Sequence, residues 1–353
     1  MNNLKKIGVS ALAGSLMAFS SATASEMAVS GTAEVTFTSS DASSLTGGRS
    51  TSGNPIGFKN NLAFSGSGDV NGYAVSFNTA MNDAMSGVSS SLLTVDMGAM
   101  GLVGLDNGTG SFGIDTADDS ILPTAYEEPS HGGGTGSLGR SGANNVLGYK
   151  NTFSGVSVNL EYNADFTTGG QVGDGATSGV TANVAATTTV NEAIESANKG
   201  SSTNFVLSYA PIDGLVVGAG HGTTKGHLQA GGITADAQEM TAYATYAVGS
   251  FSAGYFVNEN QNNTTGSAGK NTDGYSLAMA VNENLSVSYA TRDVEFDNTA
   301  HATANVTEDS TGIMASYTMG GASVRIANNE HENAGGTTGS TTETTEISLV
   351  LAF

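Results

Sequence analysis

Six carboxylates, Asp106, Asp115, Asp118, Asp119, Glu127 and Glu128, fall within one polar stretch, 106–141, in which Arg140 is the sole lysine or arginine. Clustered carboxylates attract cations, and converging oxygen ligands can hold Ca²⁺. The Asp115…Asp118-Asp119 spacing leaves Ca²⁺ open as a weak candidate, but it lacks the ligand order of a Ca²⁺-binding loop. A solvated acidic segment explains it more simply. The five histidines, at 131, 221, 227, 301 and 331, show neither HExxH nor another metal spacing. Gly108-x-Gly110-x-x-Gly113 and Gly134-x-Gly136-x-x-Gly139 match the dinucleotide pattern, yet neither opens a helix after a strand. There is no Cys, hence no disulfide, thiolate metal site or Cys nucleophile. No Ser/His/Asp constellation stands out, so the sequence predicts no enzyme and no cofactor beyond that candidate Ca²⁺.

The chain has 353 residues, with 11 Lys+Arg against 32 Asp+Glu and a formal charge of −21. Such an acid excess argues against a nucleic-acid partner, which needs Lys and Arg to displace counterions from phosphates. Charged residues are only 12% of the chain, which separates it from charge-driven disordered sequences. Its 49 glycines, roughly twice ordinary usage, favour a β-rich chain with many turns.

Residues 1–24 read as a signal peptide. Lys5 and Lys6 precede an apolar run, Ile7 to Phe19, and Ala22-Thr23-Ala24 supplies a small-x-small cleavage pattern. The run is too short for a spanning helix, which takes roughly 20 residues. Cleavage removes both lysines and no acid, leaving 9 basic and 32 acidic groups, a formal −23 on a domain 25–353.

After residue 24 the hydrophobic period is two. Tyr73/Val75/Phe77, Val156/Val158/Leu160/Tyr162, Phe251/Ala253/Tyr255/Val257 and Ile347/Leu349/Leu351/Phe353 alternate mostly with polar or small residues, Phe256 and Val350 excepted. Successive strand side chains point to opposite faces, so each stretch has one apolar and one polar face. Sixteen such segments are expected, centred near 33, 61, 75, 93, 102, 148, 160, 206, 219, 243, 255, 277, 290, 315, 325 and 348. Short turns are expected at 67–70, 98–99, 154–155, 211–214, 249–250, 282–284 and 320–321. Long polar connections are expected at 40–56, 106–141, 166–201, 225–236, 261–270, 297–308 and 332–341, and a shorter one near 80–87. An even strand count with short turns on one side and long loops on the other is the layout of a transmembrane β-barrel. A soluble exported β-sandwich or β-solenoid, such as an adhesin, is the alternative, though no short fixed repeat supports a solenoid.

Alternation also places the scarce cations. With Phe58/Leu62/Phe64, Leu147/Tyr149, Leu285/Val287/Tyr289 and Val324/Ile326 facing outward, Lys59, Lys150, Arg292 and Arg325 face inward. A charge facing lipid at mid-bilayer would cost about 2–4 kcal/mol, so a barrel requires that placement.

The strand count, the long fifth connection, the AxA-type leader, Glu26-Met27-Ala28-Val29-Ser30-Gly31 and the ending Ile347-Ser348-Leu349-Val350-Leu351-Ala352-Phe353 together resemble the trimeric general bacterial porins. The likeness is to their alphaproteobacterial, Rhodobacter-like branch. It departs in lacking Trp, so Tyr and Phe must form the aromatic girdles. The resemblance implies a 16-stranded antiparallel transmembrane β-barrel with a long inward-folded third loop, multi-pass in the outer membrane of a Gram-negative bacterium. It implies a homotrimer, and Phe353 as a signal read by the outer-membrane assembly machinery. It implies that the acidic loop narrows the channel opposite the basic wall residues. Small hydrophilic solutes and ions would then diffuse passively, with cations preferred because the lining is acidic. A substrate-selective channel remains the alternative within this class.

Overall fold

The computed structural model describes residues 26–43, 49–51, 53–81, 87–135, 138, 146–164, 201–225, 228–229, 232–233, 236–262, 269–297 and 306–353. The expected signal peptide, Arg140, His227, His301 and most of the stretch 166–201 lie outside them.

Sixteen long strands follow one another: β1 Glu26–Ser43, β2 Ile56–Val70, β3 Tyr73–Met81, β4 Val88–Asp96, β5 Leu102–Asn107, β6 Val146–Phe153, β7 Val156–Asn163 and β8 Ser202–Ile212. They continue as β9 Leu215–Thr224, β10 Ala237–Val248, β11 Phe251–Asn262, β12 Gly269–Ala280, β13 Leu285–Asp297, β14 Val306–Met319, β15 Ala322–Glu332 and β16 Thr341–Ala352. Each pairs antiparallel with its chain neighbours, and β16 returns to β1 from Thr32↔Ala352 to Ser43↔Thr341. Gly31 and Phe353 extend that seam, each donating its N–H to the other's carbonyl at 3.0 Å. The sheet therefore closes on itself and leaves no unpaired edge. A sandwich needs a second facing sheet, and the closed ring overturns that alternative. All sixteen expected centres fall within observed strands or, for Leu102, at a strand's first residue.

One turn differs from expectation. Residues 67–70 are not a turn but the end of β2, and the chain reverses at Asn71-Gly72. Both have positive φ, 57° and 86°, the combination a tight hairpin with right-twisted strands demands. Asp69 accepts the Gly72 N–H at 2.8 Å. Gly68-Asp69 looked like turn chemistry, but Asp69 caps the turn from the strand. Likewise Asp106 belongs to β5 rather than to the connection after it.

Apolar side chains do not gather into a central core. Val35, Phe37, Phe58, Leu93, Leu147, Tyr209, Phe251, Leu277, Ile313 and Leu349 are all exposed. They share one face of the ring, and the buried Ser276, Ser288, Ser310 and Ser348 lie on the other. On a soluble protein so wide an apolar surface would drive association, whereas lipid covers it without cost. The buried apolar groups form small clusters instead: Ile114, Ala117, Leu138 and Val206; Tyr126, Ala290, Met314 and Ala327; and Phe112 with Val146. Each combines residues of the segment after β5 with residues of the polar strand face.

Candidate functional site: the acidic segment and the polar wall

The segment after β5 begins with a tight bend built on Asp106. Its buried carboxylate accepts the Thr109 N–H at 2.8 Å, the Thr109 hydroxyl at 2.6 Å and the Ser111 N–H at 2.8 Å. Phe112 then lies flat against β5 and β6. It is fully buried, and a Cβ at Gly104 or Gly148 would collide with its ring. Glycine is needed at both positions for the close approach itself, not for backbone freedom. Lys150 covers the site, with Nζ 5.1 Å from the Phe112 ring centroid, which places a cation over the negative face of the ring.

From there the segment meets the polar faces of successive strands. The Gly113 N–H donates to Asn159 on β7 at 3.0 Å and the Ile114 N–H to Asn204 on β8 at 2.7 Å. Thr241 on β10 donates to the Ala117 carbonyl at 3.1 Å. The Ala125 N–H donates to Ser288 on β13 at 2.8 Å, and Asn329 on β15 donates to the Glu128 carbonyl at 2.9 Å. Thr344 on β16 donates to the Gly132 carbonyl at 3.0 Å. Two short 3₁₀ turns, Gly113–Ala117 and Asp119–Ile121, carry two of the acids, Asp115 and Asp119, with Asp118 between them. Peptide groups of an irregular segment must bond to something, and here the Asn, Ser and Thr of the wall take up many of them.

Two charged clusters form where segment and wall meet. In the first, Arg325 donates to Glu34 Oε1 at 2.6 Å and to Ser348 Oγ at 3.1 Å, and stacks 4.3 Å over the Tyr126 ring. The Tyr126 hydroxyl donates to Glu346 Oε1 at 2.6 Å. His131 stands between two carboxylates, Nδ1 3.6 Å from Glu127 and Nε2 3.5 Å from Glu346. The Glu346 carboxylate bonded to its ring holds the His131 pKa above the ordinary imidazole value, against the opposing effect of burial. Burial and the same carboxylate push the Tyr126 phenol well above its usual range. In the second cluster Arg292 and Glu308 are both 0% exposed and 3.4 Å apart. Glu308 also accepts from the Thr135 N–H and hydroxyl, each at 2.7 Å, and from the Gly335 N–H at 2.6 Å.

The four expected wall cations all share the polar face. Arg292 and Arg325 carry ion pairs there, Lys150 covers Phe112, and Lys59 is exposed directly opposite Glu34 in the β1–β2 register. The acids of the segment divide their work. Asp106 shapes the bend, Asp118 faces Asn258 at 3.5 Å, Glu127 faces His131, and Glu128 holds the wall through its carbonyl. Asp115 and Asp119 sit in the 3₁₀ turns. Sequence reasoning missed the wall acids Glu34, Glu308 and Glu346, and with them Tyr126 and His131. The alternation that put the cations on the polar face, with Val35, Ile313 and Ile347 exposed on the other, assigns those three acids to the same face.

No family model matches the chain, and no curated protein matches it. Solved structures do. The anion-selective porin from Comamonas acidovorans superposes with a TM-score of 0.65 at 13% identity, covering 94% of this chain and 100% of that one. OmpF of Salmonella typhi, solved with daunomycin, gives 0.61 at 12%, covering 93% and 98%. A mutant Rhodobacter blastica porin gives 0.54 at 14%, covering 93% and 100%. At such identities the likeness is one of fold. Closed ring and superposition together define the class: this is a 16-stranded barrel of the porin type.

Proposed function

We propose that the chain is an outer-membrane porin, a water-filled channel for passive diffusion of small hydrophilic solutes and ions, with cations preferred. One observation carries the reading. Residues 108–135 bond to the polar face of strands from β7 to β16, and at Tyr126 they do so at the height where Val35, Ile326 and Leu349 expose apolar side chains on the opposite face. A single segment can reach so many strands of a ring only from within it. It therefore lies inside the barrel at membrane height and narrows the opening.

Residues 108–135 contain Asp115, Asp118, Asp119, Glu127 and Glu128 and no lysine or arginine. The wall cations Arg325 and Arg292 are already set against Glu34 and Glu308. The charge contributed by the segment is thus negative, and an acidic constriction concentrates cations and excludes anions. The apolar outer face suits lipid and a homotrimer, and the Gly31–Phe353 seam puts the terminal aromatic at the closing strand pair, where the assembly machinery would read it.

Liposome swelling tests the constriction. Proteoliposomes should swell with small sugars and lose permeability steeply as the solute grows, and a variant lacking residues 114–130 should admit larger ones. An unchanged size limit in that variant would remove the segment from the channel.

A further inference from the structure

Glu127 and His131 of the segment and Glu346 of β16 bring two carboxylates and an imidazole together from opposite sides of the segment–wall contact. One ligand atom from each lies within 4.8 Å of the others. We infer that these three residues form a site for a divalent ion of the zinc class, bridging the segment to the wall.

The geometry is close to what such an ion needs. Ligands about 2.0–2.2 Å from a tetrahedral zinc stand roughly 3.3–3.6 Å apart; His131 Nε2 lies 3.5 Å from Glu346 and Nδ1 3.6 Å from Glu127, so either nitrogen already meets one carboxylate at that spacing, and the other, within 4.8 Å, has to close in. The two contacts use opposite ring nitrogens, and a metal takes one of them. The Glu127 and His131 side chains, 26% and 27% exposed, have room to turn, whereas Glu346 at 12% is held. Its Oε1 accepts from Tyr126 at 2.6 Å and its Oε2 from Thr38 at 3.0 Å. Behind the site, the His331 ring contacts the His131 carbonyl at 3.0 Å and anchors that stretch of backbone. Metal ligands are commonly oriented by such second partners.

Charge and ligand type agree. Two carboxylates with a neutral imidazole offset a dication, and imidazole favours Zn²⁺, Cu²⁺ or Ni²⁺ over Ca²⁺ or Mg²⁺. Three protein ligands leave a fourth position open to water on the exposed side. In the absence of metal, a protonated imidazole can bridge the same carboxylates, and the ion takes the place of that proton. Bound there, the metal staples residues 127–131 to β16 and cancels acid charge beside the opening. That last consequence rests on the channel reading, while the binding itself does not.

Isothermal titration of EDTA-stripped barrel, purified in detergent at neutral pH, with ZnCl₂ tests the site. One saturable site per chain is expected, with no comparable signal from CaCl₂. His131→Asn and Glu346→Gln, each verified as folded by heat-modifiable gel mobility, should weaken binding by about tenfold or more. Absence of saturable binding overturns the inference, and so does unchanged affinity in both variants. In planar bilayers micromolar ZnCl₂ should lower the conductance of the wild type and not of His131→Asn. A barrel that binds zinc but never conducts would refute the channel and leave the metal site standing.

Discussion

Replacing Glu308 by alanine is expected to destabilise the barrel by about 3–5 kcal/mol, the usual cost of leaving one member of a buried ion pair alone. Arg292 and Glu308 are both 0% exposed, so water cannot take over for the lost carboxylate. Four further donors lose an acceptor as well: the Thr135 N–H and hydroxyl, the Gly335 N–H and the Ser310 hydroxyl. The change should therefore unfasten the end of the segment after β5 as well as weaken β14. Adding Arg292→Met should recover much of the loss, because exchanging both members of a buried pair for apolar groups is often close to neutral. Denaturant unfolding of the detergent-solubilised protein measures both variants. A single variant within about 1 kcal/mol of wild type would show that the pair is hydrated and not structural.

The second large effect is expected at Gly148. Valine there must occupy the space now filled by the Phe112 ring. Phe112 is buried against Val146 and the backbone of β5 and β6, and losing such a ring costs about 3–5 kcal/mol. Its departure also removes the partner of Lys150 and the first anchor of the segment. Unfolding should occur at lower denaturant and single-channel conductance should rise. Phe112→Ala combined with Gly148→Val should be less damaging than the two costs added, since the clash has then gone. Strict additivity would mean that the ring does not lie where Gly148 requires.

The barrel was legible in the sequence to an unusual degree because two solvents write the pattern. A strand between lipid and water must alternate, so Tyr73/Val75/Phe77 or Ile347/Leu349/Leu351 declare both a strand and its faces. The turn after β2 was misplaced because Gly68-Asp69 has turn composition, while the residues with positive φ are Asn71 and Gly72. Strand pairing between neighbours follows from chain order, whereas the site depends on contacts that do not. Tyr126 and Glu346 are 220 residues apart, and Thr135 and Glu308 173. No local spacing announces either. Asp106 is expected among the constriction acids because it opens the long stretch 106–141 that resembles a porin's inward loop, and its carboxylate is engaged in shaping the bend. Glu34 and Glu346 were within reach of the same alternation that located Lys59 and Arg325. Their role in holding the segment was not, because it depends on where Tyr126 and His131 come to rest.

The reversal potential of single channels in a planar bilayer under a KCl gradient tests the central claim most directly. The acidic segment and the paired wall cations predict discrete conductance steps and a potential displaced toward the cation equilibrium value, shrinking as ionic strength screens the charges. A potential displaced toward chloride would contradict the proposed constriction, and a purified, folded barrel without conductance would contradict the channel.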